Sequence, residues 1–169
     1  DQTVPYRKGG HFYYSRTEEG KQYPIQCRKK GSLEAAEEVM LDLNELAKGK
    51  KYLSVGRAEV SDDANLLAYT VDDTGYRQYK LQVKDLRTGA TLPDTAERVT
   101  SVQWATDNKT LFYATEDQVT KRSDRLWRKA LGGAAAQLYY EKDELFRIGL
   151  GRTRDKKYLV LDIDSTDTT

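Results

Sequence analysis

The sequence predicts an all-β fold, a run of four-stranded antiparallel units stacked as the blades of a partial β-propeller. Three observations carry this reading. Residues 60–69 (Val-Ser-Asp-Asp-Ala-Asn-Leu-Leu-Ala-Tyr) align with residues 104–113 (Trp-Ala-Thr-Asp-Asn-Lys-Thr-Leu-Phe-Tyr), a shift of 44 positions from Val60 to Trp104. Strand-built repeats of roughly 40–50 residues have the period of propeller blades. Short segments alternate apolar and polar side chains, most cleanly at residues 79–84, as half-buried strands do. Between them lie clusters of Asp, Asn, Thr and Gly, whose side chains or backbone freedom favour turns.

Taken in order, a partial blade is expected over residues 9–43. Gly9 and Gly10 open onto a strand at residues 11–15, residues 17–20 turn, and residues 23–27 return with Pro24 near a strand start. Residues 28–31 (Arg-Lys-Lys-Gly) read as a basic turn, solvated rather than anion-binding because Glu34, Glu37 and Glu38 follow at once. Residues 37–42 form a strand. Residues 42–49 form one or two helical turns, with Asp42 or Asn44 as cap and Gly49 as stop.

A complete blade is expected over residues 52–94. Its inner strand ends at Val60, residues 66–71 and 79–84 are the next strands, and the segment from Thr91 to Pro93 begins the outer one. A second complete blade spans residues 99–141, with strands at 102–104, 111–114, 126–131 and 137–140 and a charged loop at 116–124 that reads as solvated, the alternative being a contact loop on one rim. A half blade follows at residues 145–169, with strands at 145–149 and 158–161. Val60, Leu67, Tyr69, Leu81, Val83, Trp104, Leu111, Tyr113, Trp127 and Tyr158 are the expected core.

Composition narrows the function classes. The 28 Lys and Arg nearly balance 27 Asp and Glu, so no nucleic-acid partner is expected. No apolar run of about 18 residues occurs, so no membrane partner is expected. The 12 Tyr offset an otherwise polar make-up, because a tyrosine ring suits a half-buried strand face while its hydroxyl stays wet. Cys27 is the only cysteine and His11 the only histidine, which leaves no disulfide and no ligand cluster for zinc. No cofactor is expected.

Nor does any residue set announce catalysis. A serine hydrolase of the α/β type would carry Gly-x-Ser-x-Gly at a strand-to-helix turn, and no such string is present. A triad would have to recruit His11 from a strand-like aromatic run. Asp62-Asp63 and Asp72-Asp73 lack calcium-loop spacing and fall in blade turns, where Asp bonds the backbone. Gly149-Leu-Gly151 has no strand–helix context for a phosphate loop, and the Asn108-Lys-Thr110 sequon lies in a turn. Trp104 and Trp127 read as packing residues. No catalytic, cofactor-binding or metal-binding residue is assigned.

Several segments resemble a known family. They are residues 4–25 (from Val-Pro-Tyr-Arg-Lys-Gly-Gly through Gln-Tyr-Pro-Ile), 37–42, 59–63, 83–89 (Val-Lys-Asp-Leu-Arg-Thr-Gly), 92–95 and 147–152 (Arg-Ile-Gly-Leu-Gly-Arg). In that order they resemble the propeller segment of the prolyl oligopeptidase family of serine peptidases, its oligopeptidase B-like branch above all. The resemblance implies a seven-bladed propeller capping an α/β-hydrolase domain and restricting access to short peptides. Oligopeptidase B-like members cleave after Arg or Lys, prolyl oligopeptidase members after Pro. The family's Ser, Asp and His have no counterparts in this sequence, so the implied oligopeptide substrates would be cleaved outside it and the chain alone is expected to be inactive. A cytoplasmic location is expected, with the periplasm as alternative. The other reading of function is a stand-alone propeller-type binding or scaffold domain.

Terminal blades lacking a neighbour would expose apolar faces around Phe12, Tyr14, Tyr158 and Leu161, and uncapped repeats associate. Self-association is therefore expected, two copies approximating a closed ring; the alternative is a monomer whose outer blades fray. Light scattering after size exclusion should show a mass that rises with concentration. A monomeric mass throughout, with the terminal strands protected from hydrogen exchange, would refute it.

Overall fold

The computed structural model describes residues 1–165, so the last four residues of the expected half blade lie outside it. The chain divides into two units, Asp1–Leu53 and Ser54–Thr169. The fold is all-β, three four-stranded antiparallel sheets and a two-stranded one.

The first unit is one sheet in the order β1 (Tyr6–Lys8), β2 (His11–Arg16), β3 (Ile25–Lys30), β4 (Glu37–Asp42). The blade expected to be partial over residues 9–43 thus carries a fourth strand ahead of it. Gly9, at φ +57°, supplies the left-handed corner that joins β1 to β2. The basic turn expected at residues 28–31 is instead the end of β3. Arg28, Lys29 and Lys30 pair with β2 and β4, and the Arg28 Nε donates to Glu38 2.6 Å away. Cross-strand charge pairing outweighs the turn preference of a Lys-Gly end; the chain turns only at Gly31, at φ +80°. Tyr14, Ile25 and Cys27 form the buried side. The short helix α1 (Leu43–Leu46) starts on Asp42, which accepts from the Asn44 backbone N–H.

One ionic cluster locks this sheet. Glu37 on β4 accepts from Nε and Nη2 of Arg16 and from the Tyr14 hydroxyl, both on β2. The Arg16 guanidinium, then the tyrosine, hold the Glu37 carboxyl down at about 2.

The second unit holds three sheets. The first consists of β5 (Ser54–Val60), β6 (Leu66–Asp72), β7 (Lys80–Asp85) and β8 (Thr91–Ala96). The next contains β9 (Val99–Trp104), β10 (Thr110–Glu116), β11 (Ser123–Ala130) and β12 (Ala136–Tyr140). Then come β13 (Phe146–Arg152) and β14 (Leu159–Ser165). In the two four-stranded sheets the strands pair in sequence order. Val60 stands opposite Leu67, and Trp104 opposite Leu111, so the 44-residue repeat is a repeat of register. Pro93 falls on β8, an edge strand that tolerates its missing N–H.

The core of this unit joins the first two sheets. Leu66, Ala68, Leu81 and Val83 from one meet Val99, Val102, Trp104, Leu111 and Tyr113 from the other. The inner strands run side by side, β5 beside β9 and β9 beside β13. Polar ties cross the same seams. The Trp104 indole N–H donates to the Glu59 carbonyl at 2.8 Å. Asp94 on β8 accepts from Lys129 Nζ and from the Gly132 N–H. Asp62, in the turn after β5, forms a two-pronged pair with Arg152 at the end of β13, at 2.9 and 2.7 Å.

Most of the expected core is buried, but Val60 and Trp127 are only half-buried and Tyr158 is 66% exposed. Tyr158 precedes β14, whose outer edge has no neighbour among the described residues. Of the apolar residues expected on open faces, Tyr14 is instead buried, and Phe12 and Leu161 are half-buried. The loop expected at 116–124 is shorter, since β10 runs to Glu116 and β11 starts at Ser123. It is not simply solvated. Arg122 donates to the carbonyls of Glu141, Asp143 and Phe146, tying the loop to the approach to β13.

Two measurements test these packing assignments. Trp104→Ala removes a fully buried indole and its hydrogen bond to the Glu59 carbonyl, so it should cost about 3–5 kcal/mol in urea unfolding. Tyr158→Ala should stay within about 0.5 kcal/mol; equal losses would contradict the seam. For Glu37 the folded pKa lies below the unfolded one. Its stabilisation is therefore complete above about pH 4.5 and drains away as pH falls toward 2. The gap in urea midpoint between the native chain and Glu37→Gln should close over that window, and a gap independent of pH would show that the cluster contributes nothing through charge.

Candidate functional site

The residues most suggestive of catalysis are all engaged in holding turns and strands. The Ser61 hydroxyl donates to Asp63 at 2.6 Å and accepts from the Leu66 N–H at 3.0 Å. Ser54 pairs with the Tyr79 hydroxyl at 3.2 Å. Asp63 also accepts from the Asn65 N–H, and Asp72 from the backbone of Thr74 and Arg77. Asp62 is taken by Arg152, which holds its carboxyl below the usual range. Asn108 accepts from the Asp63 N–H of the neighbouring sheet, so the sequon asparagine serves as a turn-to-turn link.

Cys27 is fully buried, and burial pushes its thiol up to about 11. That is the state of an inert apolar residue rather than a nucleophile. His11 is buried in β2, and burial, then the nearby Arg28 charge, lower its pKa. Gly149 and Gly151 lie within the strand β13 rather than at a strand-to-helix turn, so they form no phosphate loop. Trp104 and Trp127 both act in packing, the Trp127 ring stacking on Tyr113 at 6.5 Å and its N–H donating to Thr115.

What the structure does assemble is a pair of clefts on the inner-strand side of the second unit. One, of about 320 Å³, is lined by Gly56, Arg57, Thr70, Arg77, Tyr79 and Thr100, with Val99 and Glu116 completing it. The other, of about 460 Å³, lies along β9 and β13 and includes Arg57, Ser101, Lys121, Arg147, Asp162 and Asp164. Arg57 and Thr100 belong to both. Clefts of this size can take part of a small ligand or a few residues of an extended chain.

Arg57 owes its position to a bulge in β5. The pairing with β6 slips between Val55 and Ala58, leaving Gly56 and Arg57 out of the ladder. The Arg57 N–H is satisfied by the Thr70 hydroxyl at 2.8 Å. Gly56 is required because a Cβ there would come within 2.9 Å of both Thr70 Oγ1 and the Tyr79 ring. Bulges re-aim side chains and favour functional edges. Sequence reasoning passed over Arg57, Arg77 and Arg147. The one signal available was Gly56 interrupting a strand pattern, which marks a bulge without saying what it presents.

The whole chain, residues 1–169, matches the family profile described as prolyl oligopeptidase, N-terminal beta-propeller domain. It is 41% identical over 185 residues to dipeptidyl aminopeptidase BI of Pseudoxanthomonas mexicana, covering 98% of this chain and 26% of that protein. It is 36% identical over 177 residues to protease 2 of Moraxella lacunata, again covering 98% of this chain and 26% of the relative. Among solved structures, oligopeptidase B from Leishmania major superimposes with a TM-score of 0.92 at 30% identity, over 97% of this chain and 24% of the other. The closed form of Trypanosoma brucei oligopeptidase B, with covalently bound antipain, gives a TM-score of 0.85 at 32% identity, over 95% and 23%. The chain thus spans about a quarter of the length of these relatives.

Proposed function

The chain belongs to the prolyl oligopeptidase N-terminal β-propeller family, and on that premise we propose that it is the substrate-gating propeller part of a serine oligopeptidase cleaving short peptides after Arg or Lys. The observation that carries this is the continuous match of the chain to propeller segments of serine peptidases, at 36% identity to protease 2 and with a TM-score of 0.92 to an oligopeptidase B. The gating role has a physical basis in the fold. A wall of paired strands tied by buried seams excludes folded chains, while clefts along the inner strands leave room for an extended one.

The chemistry of the cleavage is not performed by these residues. Peptide-bond hydrolysis needs an activated nucleophile and donors for the developing oxyanion. The serine hydroxyls at positions 54 and 61 are bonded to Tyr79 and Asp63, and the one histidine is buried in a strand of the first unit. The propeller's contribution is selection, acting on which peptides arrive rather than on the bond broken.

A second reading rests on one observation, the 41% identity to a protein named dipeptidyl aminopeptidase BI. On that reading the parent enzyme removes dipeptides from free N-termini.

The full-length protein containing this chain separates the two. Turnover of an N-blocked arginyl-arginyl reporter, abolished by a serine-directed phosphonate and absent for a folded protein of the same sequence content, is the expected result. Turnover restricted to dipeptidyl reporters with a free amino terminus would replace it with the second reading. Absence of any peptidase activity would return the chain to the role of a binding or scaffold propeller. The 169-residue chain alone should turn over none of these reporters.

A further inference from the structure

Three arginines on the cleft walls, Arg57, Arg77 and Arg147, make no ion pair among the described residues, although most arginines of this chain do. Arg16, Arg28, Arg87, Arg98, Arg122, Arg125 and Arg152 all have carboxylate partners within 4 Å. Among the described residues the only carboxylate lining the smaller cleft is Glu116, and Arg98 contacts one of its oxygens at 3.4 Å. That cleft is therefore lined by two arginines, Arg57 and Arg77, that have no ion pair among the described residues.

Both arginines are held there by dedicated backbone geometry. Arg57 is extruded by the bulge that Gly56 and the Thr70 hydroxyl maintain. Arg77 sits in the left-handed region, at φ +58°, with its N–H anchored on the buried Asp72 carboxylate at 2.9 Å. A non-glycine residue in that region is uncommon and persists where the surroundings impose it. The neighbouring cleft, which shares Arg57, sets Arg57, Lys121 and Arg147 against Asp162 and Asp164, and it is also lined by the buried Ser101 hydroxyl, which has no hydrogen-bond partner among the described residues. A wall this rich in donors calls for an acceptor, and the planar fork of a guanidinium matches a carboxylate.

We propose that the cleft formed by β5, β6, β9 and the loop leading into β7 is a carboxylate-binding site for peptides, with Arg57 and Arg77 as its two cationic contacts and Thr100 as a hydroxyl neighbour. The carboxylate comes from a peptide C-terminus or from an Asp or Glu side chain. This deepens the gating role and rests on it for the choice of a peptide as ligand. The site would hold acid-bearing peptides on the inner-strand wall, making selection depend on charge as well as on size.

The test is direct binding to the 169-residue chain, with no peptide bond cut, so it stands apart from the turnover experiment. Isotope-labelled protein is titrated with acetyl-tetra-alanine as the free acid, with its C-terminal amide, and with an amide-capped acetyl-Ala-Glu-Ala-Ala. The acid should shift the Arg57 and Arg77 Nε–H signals, and its affinity should fall about tenfold in Arg57→Gln, the loss expected for one charge-assisted forked pair. Arg57→Lys, which keeps the charge and removes the fork, should recover only part of it. Binding of the free acid but not of the Glu peptide identifies the C-terminus as the source, and the reverse identifies the side chain; either supports the site. Equal binding of acid and neutral amide, unchanged affinity in Arg57→Gln, or no binding of either acidic peptide overturns it.

Discussion

The second unit depends on the burial of Trp104 at the seam between two sheets. Its ring is 1% exposed and lies among Leu66, Ala68, Leu81 and Val83 of one sheet and Val99, Leu111 and Tyr113 of the next. Apolar burial alone would let the sheets slide, since the hydrophobic effect has no direction. The indole N–H removes that freedom by donating to the Glu59 carbonyl, which fixes β9 against β5 at one point along the strands. An aromatic with a polar handle is suited to this, filling volume and setting register together. The position of Arg57, three residues from the end of β5, inherits that register.

A chain with mean hydropathy −0.80 cannot hold several sheets by apolar area alone. The remaining seams are made with buried or half-buried polar groups that bond across sheets. Asp94 ties β8 to Lys129 and the Gly132 N–H. Arg122 gathers the carbonyls of Glu141, Asp143 and Phe146, the last of them the first residue of β13. Each of these side chains satisfies backbone or ionic partners that would otherwise be costly to bury. In the first unit, Glu37 does the same with Tyr14 and Arg16. The charged third of the composition is therefore partly structural, which is why so few arginines remain for a ligand.

What was legible in the sequence followed from periodicity. The alignment of Val60 with Trp104 located four strands in two pairs, β5 with β6 and β9 with β10, because register repeats wherever the same face must be buried in each sheet. Glu37–Asp42 as a strand was equally plain, and of the two cap candidates, Asp42 and Asn44, the structure uses Asp42. β1 was not, since its three residues are all exposed and alternation has nothing to act on. The end of β3 was missed because its lysines and Arg28 are stabilised by partners distant in sequence, such as Glu38. Tyr158 looked like core because hydrophobicity does not say whether a neighbour lies alongside. The clefts were invisible for a related reason. Arg57 matters for what it lacks, an ion pair, and for a bulge defined by packing of Tyr79 on Gly56, neither of which is a property of local sequence.

The pair between Asp62 and Arg152 joins the turn after β5 to the end of β13, passing over β9. In engineering terms it is a chord drawn across an arc of three inner strands. Two seams in series would leave a hinged chain of sheets, free to flatten or curl as each seam flexed a little. A chord between the first and third members triangulates them, so the angle at β9 cannot change without breaking the bidentate contact. The three sheets of the second unit should then move as a single rigid panel.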